Sequence, residues 1–224
     1  MHDYYARKLS AQRLKRVYEI SPPRVKRYLD AEIEFLWKRL GSKEWILELG
    51  CGYGRILERL SLKCVNLWGI DTSEDSLRMA SEILGKDLRG RLMAMNAVQL
   101  GFKAKTFDRL LCMQNGISAF NVDPNELVRE ALRVIRPGGS AIFSSYAEAF
   151  WEPRLEWFRL QAAHGLIGEI DEHATGQGVI VCKDGFRATT IFPQDFRQLA
   201  ERAGAPAKIT ILEESSVICE IAVH

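Results

Sequence analysis

Glu48-Leu49-Gly50-Cys51-Gly52-Tyr53-Gly54 is the segment of this sequence best suited to chemistry. Glycines at alternate positions let the chain turn tightly and let a ligand press against main chain. The segment follows a short apolar run, Trp45 to Leu49, and opens what reads as a helix from Arg55 to Leu62. Ligands of open α/β sheets bind outside the carboxyl ends of the strands, and this loop lies at such an end. Two ligand chemistries compete for it. A dinucleotide fingerprint reads G-x-G-x-x-G, because a pyrophosphate must dock on the helix N-terminus. Here the third glycine comes one residue early, and Arg55 stands in the dinucleotide position. Glu48 is a carboxylate that suits a ligand with an ammonium group and opposes one with a pyrophosphate. Asp71, seventeen residues past Gly54, can accept both hydrogen bonds of a ribose diol. It can equally cap the helix that follows, as can Thr72.

Other reactive residues carry weaker signals. His164 and His173 flank Glu169-Ile170-Asp171-Glu172, but they are nine residues apart across Gly165 and Gly168 and match no metal-ligand spacing. A polar loop or lid is the first reading there, and one of the two histidines as a base is the second. The five cysteines are odd in number and form no CxxC pair, so they read as reduced structural thiols rather than a disulfide or zinc framework. Tyr146 ends an apolar run and can face a cleft. Trp151, Trp157 and Phe158 share a helical stretch and read as core before pocket wall.

The elements that must position these residues alternate. The chain to about Leu40 is helical, broken at Ser21-Pro22-Pro23, with Val25, Leu29, Ile33, Leu36 and Leu40 on one stripe. Strands are expected over 45–49, 66–71, 91–97, 107–113 and 140–145. Helices are expected over 55–62, from the Thr72-Ser73 cap to 84, and over 124–135, and Pro137-Gly138-Gly139 reads as a turn. Strands alternating with helices argue for a parallel sheet covered on both faces. Beyond it, 178–183 and 186–192 form a hairpin about Asp184-Gly185, and 193–203 is a helix. Strands over 208–212 and 217–223 close the chain, antiparallel because their connection is short. The expected fold is therefore α/β, a doubly wound seven-stranded sheet, mostly parallel with an antiparallel last strand. A helical cap (1–42), a core (43–146), a helix and hairpin lid (147–192) and a C-terminal helix and strand pair (193–224) make one domain.

Composition narrows the class. The 224 residues suit one large domain, and a net charge of +2 does not mark a nucleic-acid binder. Through Lys43, eleven Lys or Arg stand against five Asp or Glu. A solvated helical face explains this, and an RNA-phosphate surface is the alternative. No apolar run is long enough to span a bilayer, and Met1 to Tyr5 opens no signal segment. A cytoplasmic monomer or homodimer is expected.

The acidic-x-G-x-G-x-G loop, with Asp71, resembles motif I and its partner in the class I S-adenosylmethionine-dependent methyltransferases. Asn96-Ala97 resembles that family's Asp-Ala, with Asn in place of the usual Asp. Phe107-Asp108-Arg109-Leu110-Leu111 and Ala131 through Gly139 resemble its fourth strand and the helix and turn before its fifth. The resemblance implies S-adenosyl-L-methionine as cofactor, leaving as S-adenosyl-L-homocysteine. It implies Glu48, Gly50, Cys51, Gly52, Asp71 and Thr72 around the cofactor, Asn96 and Ala97 at the adenine, and Gln114 at the methionine end. Tyr4, Tyr5 and Asn115 become candidates for substrate or cap contact, and Tyr146, His164 and His173 for catalysis.

Methyl transfer from a sulfonium needs mainly positioning and exclusion of water, so the absence of a triad or metal cluster in the sequence is no objection. A small-molecule acceptor is expected. No Asn-Pro-Pro-Tyr-type tetrapeptide follows the fourth strand, where Gln114-Asn115-Gly116-Ile117 stands instead. The alternatives are an RNA methyltransferase using the basic helices and a non-catalytic S-adenosylmethionine-binding module. A nicotinamide oxidoreductase comes last.

Overall fold

Alternation inside the strands decides the architecture. The computed structural model describes residues 4–224, without the side chains of residues 87 and 89; Met1, His2 and Asp3 of the opening segment lie outside the described residues. In β1 (Trp45–Leu49), Leu47 and Leu49 join one buried cluster and Ile46 the opposite one. In β4 (Phe107–Cys112), Leu110 and Cys112 face the first cluster and Leu111 the second. Side chains of a strand point to alternate faces, so both faces of this sheet are covered, as a parallel sheet requires.

The helices that cover it carry their own start signals. Helices α1 (Tyr4–Lys8), α2 (Ala11–Glu19) and α3 (Pro23–Arg39) precede β1, and α4 (Arg55–Ser61) follows it. Next come β2 (Asn66–Asp71), α5 (Glu74–Leu84), the short α6 (Lys86–Arg89) and β3 (Leu92–Ala94). Ser73 caps α5, its hydroxyl accepting from the Ser76 amide at 3.2 Å. Beyond β4 lie α7 (Gly116–Ala119), α8 (Pro124–Val134) and β5 (Ile135–Tyr146). Asp123 caps α8 with Pro124 at its first position. Last come α9 (Trp151–Ala163), β6 (Val179–Val181), β7 (Arg187–Thr189), α10 (Pro193–Arg202), β8 (Ala207–Leu212) and β9 (Ser216–Ala222).

The seven-stranded sheet runs β3-β2-β1-β4-β5-β9-β8. Strands β3, β2, β1, β4 and β5 are mutually parallel, and β9 is antiparallel to β5. This is the expected doubly wound arrangement, with β6 and β7 as a separate antiparallel hairpin. The sequence of strands reverses direction across β1 and β4, whose carboxyl ends form the crevice where such sheets bind ligands.

Four expectations change in detail. The helical stretch expected ahead of Ser21-Pro22-Pro23 is also broken at Leu9-Ser10, where the Ala11 amide instead donates to Ser76 Oγ at 2.9 Å. The third strand stops at Ala94 rather than Ala97, because the Asn96 carboxamide accepts from the Val98 amide at 3.1 Å and turns the chain. Pro137-Gly138-Gly139 is not a turn before the fifth strand but lies within β5. Partners step from Phe107↔Ile135 to Arg109↔Ser140, so the extra residues form a bulge. The hairpin strands hold only three residues each.

A third buried cluster lies above the crevice. Leu9, Val17, Val25 and Tyr28 of the N-terminal region pack there against Tyr146, Trp157 and Phe158, and against Ile180 and Phe186 of the hairpin segment. Polar links fasten the layers. Tyr4 Oη donates to Asp184 Oδ2 at 2.6 Å, and the Arg13 guanidinium donates to the carbonyls of Gly165 and Leu166 at 2.6 and 3.0 Å.

Candidate functional site

The glycine loop, the ends of β2 and β4, and the underside of α2 and α9 enclose a cavity of about 290 Å³. Its floor is main chain. Gly50 and Gly52 hold φ of +66° and +53°, a region that side chains resist. A Cβ at Gly50 would meet the Phe120 ring at 2.5 Å, and one at Gly52 would meet Leu14 of α2 at 2.9 Å. Valine at 52 should therefore hold the cap away from the loop. We expect calorimetry to show at least a tenfold loss of S-adenosylhomocysteine affinity. Undiminished affinity would mean the loop does not meet the ligand.

The electrostatics of the floor are unusual. Glu48 is buried, and its Oε2 has no hydrogen-bond partner among the described residues. Burial pushes its carboxyl up to about 8, opposed by the Arg55 charge and helped by Asp71. Arg55, at the start of α4, lies over the Tyr18 ring at 4.8 Å, and its Nη2 is also buried without a partner. Gln114 leaves a third buried atom unmatched, its Nε2. An acceptor and two donors thus stand unsatisfied around one cavity, where each such group costs about 1–3 kcal/mol. An amino-acid zwitterion has the complementary pair.

Asp71 sits at the rim with both oxygens in use. Oδ2 accepts from the Gly52 amide at 2.9 Å and Oδ1 from the Ser73 amide at 2.8 Å. These bonds tie the glycine loop to Ser73, the residue that caps α5. Cys51, Thr72, Asn96 and Ala97 also line the cavity. The Cys51 amide donates to Ile70 O at 2.9 Å, which fixes the loop on β2.

Gln114 and Asn115 both adopt left-handed backbone, with φ of +54° and +60°. This kink sends their side chains in different directions. Gln114 faces the cavity, its Oε1 accepting from Tyr18 Oη at 2.8 Å. Its amide donates to Glu32 Oε2 and Ser144 Oγ at 3.2 and 2.6 Å. Asn115 is a correction to the sequence reading. It does not line the cavity; its carboxamide donates to Thr189 O and accepts from Ser145 Oγ, fastening the hairpin to β5.

The remaining candidates divide. Tyr5 and Tyr146 line the cavity, with the Tyr146 hydroxyl raised to about 12 by burial and lowered in part by Arg154. Tyr4 is a staple on Asp184 and the Phe186 ring. His164 and His173 are corrected as well. His164 caps the exposed end of α9, His173 lies on an exposed turn, and neither lines the cavity. Among the described residues no cluster of His, Cys, Asp or Glu could hold a metal ion.

Sequence reasoning missed Tyr18, Glu32, Arg154 and Gln161. Glu32 is wholly buried on α3, and Ser216 Oγ donates to its Oε1 at 2.5 Å. The only trace in the sequence is its place beside the apolar stripe of Leu29, Ile33 and Leu36.

A mostly parallel sheet in this order, with a glycine loop closing β1 and an acidic residue ending β2, is the fold of the class I S-adenosylmethionine-dependent methyltransferases. The model of a methyltransferase domain family matches residues 46–139. The match takes in the glycine loop, Asp71 and the strands from β1 into β5, and S-adenosyl-L-methionine is the cofactor it supports. A ubiquinone biosynthesis O-methyltransferase of Pseudomonas putida is 27% identical over 133 residues, covering 58% of this chain and 53% of that protein. This chain thus spans about half the length of the curated relatives it matches. Among solved structures, a Pyrococcus horikoshii protein superposes with a TM-score of 0.68 at 18% identity, covering 100% of both chains. An S-adenosylmethionine-dependent methyltransferase of Methanosarcina mazei gives 0.62 at 19% identity, covering 84% of this chain and 97% of that one. These likenesses are of fold.

Proposed function

We propose that this chain moves the methyl group of S-adenosylmethionine to a small acceptor held between the core and the α1, α2, α9 and hairpin cover. The observation that carries the reading is the set of unmatched buried atoms at Glu48, Arg55 and Gln114 beside the glycine loop. In this reading Glu48 takes the ammonium and Arg55 and Gln114 the carboxylate of the methionine end. Asp71 and Thr72 take the ribose diol, and Asn96 and Ala97 the adenine edge. The main chain from Gly50 to Gly52 packs against the nucleoside.

When bound, the cofactor supplies an electrophilic methyl group on a positive sulfur. The chain's own task is then to orient the acceptor and keep water out, which the closed cover of Tyr5, Tyr18, Trp157 and Phe158 favours. The names of the curated relatives support an oxygen on a small acceptor.

An RNA substrate is less well supported, because several cations of the basic helices are engaged within the molecule. Lys8 pairs with Asp184, Arg16 with Glu19 and Arg39 with Glu220, while Arg13 and Arg24 donate to carbonyls. No helix among the described residues is long and apolar enough to cross a membrane.

Labelled S-adenosylmethionine with a metabolite pool tests the reading. A labelled small product and S-adenosylhomocysteine are expected; binding without turnover would leave a non-catalytic module. Asp71→Ala should weaken S-adenosylhomocysteine by about tenfold or more. It should also cost about 1–3 kcal/mol of stability, because the Gly52 and Ser73 amides lose their acceptor. Calorimetry and urea melts read the two effects, and full affinity would remove Asp71 from the ribose.

A further inference from the structure

Arg154 lies on α9 at the cover end of the cavity and is only 1% exposed. Its Nη1 donates to Gly178 O at 3.0 Å and Thr190 Oγ1 at 2.6 Å, and its Nη2 donates to Ala188 O at 2.9 Å. Its Nε is buried with no partner. All these partners are neutral. A guanidinium does not give up its proton in a protein, and a buried charge without an opposite charge is costly. Joining α9 to the hairpin does not require a charge, so the cation needs a further explanation.

Its field reaches the cavity through two rings. The guanidinium lies 4.2 Å from the Tyr146 ring centre and 5.5 Å from that of Phe158, and both rings wall the cavity. Tyr5, Tyr18 and Trp157 complete an aromatic wall. Gln161, 2% exposed, also faces it and has no side-chain hydrogen bond to the described residues. The other charges nearby do not cancel Arg154. Burial raises the Glu32 carboxyl, and with ligand bound Glu48 and Arg55 answer the ligand's own ammonium and carboxylate. Asp71 sits at the glycine-loop end, bound to the Gly52 amide.

We propose that the acceptor end of the cavity takes a small phenol as its phenolate, and that Arg154 is a positioning residue whose charge, acting through the Tyr146 and Phe158 rings, holds it in that form. The inference rests on the methyltransferase reading and names its acceptor. The flat ring fits between aromatic walls. Its proton leaves to solvent on binding, so no base is needed afterwards; among the described residues no histidine lines the cavity. The phenolate oxygen then bonds to the methyl carbon as the carbon–sulfur bond breaks. The electron pair stays on sulfur, and a neutral aryl ether results.

The test uses the full chain saturated with S-adenosylhomocysteine and two ring probes of opposite charge. 4-Nitrophenol reports its own ionisation by absorbance; phenyltrimethylammonium carries a fixed positive charge. The bound nitrophenol should become an acid about tenfold stronger, one pH unit. The ammonium probe should bind about tenfold more weakly or worse. Arg154→Lys should keep the ionisation shift. Arg154→Met should lose it while retaining S-adenosylhomocysteine affinity, which a merely structural tether would not predict. Equal or tighter binding of the ammonium probe overturns the proposal, as does a folded Arg154→Met that keeps the shift. If Arg154→Met does not fold, the two probes on the natural protein and on Arg154→Lys still decide. Failure of S-adenosylhomocysteine to bind, read separately by calorimetry, would overturn the methyltransferase reading together with this one.

Discussion

Glu48→Gln should weaken S-adenosylhomocysteine by about a hundredfold and yet make the empty protein more stable at pH 8. The two effects have one cause. In the empty protein burial holds the Glu48 carboxyl up to about 8, so below that pH it keeps its proton. A ligand ammonium needs the anion. Binding therefore expels a proton, and affinity should climb as pH rises towards 8 and then flatten. Glutamine cannot supply the charge, which leaves a buried ammonium unmatched at a cost of about 3 kcal/mol, near a hundredfold in affinity. The pH slope should vanish with it.

The stability sign is opposite. The folded protein holds a proton on Glu48 that the unfolded chain releases near its ordinary pKa of 4.5. Stability is thus lost as pH climbs from that value through about 8. Glutamine escapes the loss. The variant should gain on the order of a few kcal/mol at pH 8, and the gain should fade towards pH 4. Urea melts at the two pH values check this. 5′-Methylthioadenosine, which has neither amine nor carboxylate, should bind both proteins alike. Equal affinity of the variant for S-adenosylhomocysteine would end the assignment.

What the sequence made legible follows the range of the interactions. The glycine loop, Asp71 and the buried strands are local patterns, with side-chain type and spacing fixed within a few residues, and they lie at the places in the fold where the sequence puts them. The Asx turn at Asn96 is local too, but it competes with strand extension, and the hydrogen bond to Val98 won. Gln114 and Asn115 adjoin in sequence, yet paired left-handed residues send them to opposite duties. No hydropathy pattern encodes that kink. The residues missed altogether are helical polar groups whose partners lie far along the chain. Tyr18 meets Gln114, Glu32 meets Ser216, and Arg154 meets the hairpin carbonyls. A helix read alone assigns such groups to solvent. The histidines lie on the surface, as the first reading of a polar loop or lid expects, and away from the cavity that the second reading, a base, needs.

Arg55→Met should match Glu48→Gln in size and differ in which ligand reveals it. Arg55 stands where α4 begins, immediately after Gly54, and its stem and guanidinium lie along Tyr18. Methionine keeps much of that packing, so folding should be little affected. It removes the buried Nη2 that has no partner in the empty protein. Losing a charge-assisted hydrogen bond to a buried carboxylate costs about 2–5 kcal/mol, so S-adenosylhomocysteine affinity should fall about thirtyfold or more. 5′-Methylthioadenosine should again be indifferent. The decarboxylated form of the cofactor separates the two sites, because it retains the amine that Glu48 reads and lacks the carboxylate that Arg55 reads. It should be insensitive to Arg55→Met and fully sensitive to Glu48→Gln. The ammonium and carboxylate sit on one carbon, so the two residues act as a unit, and the double variant should lose less than the two single losses together. Strict additivity would place Arg55 away from the methionine end, and its unmatched nitrogen would then answer to a different part of the ligand.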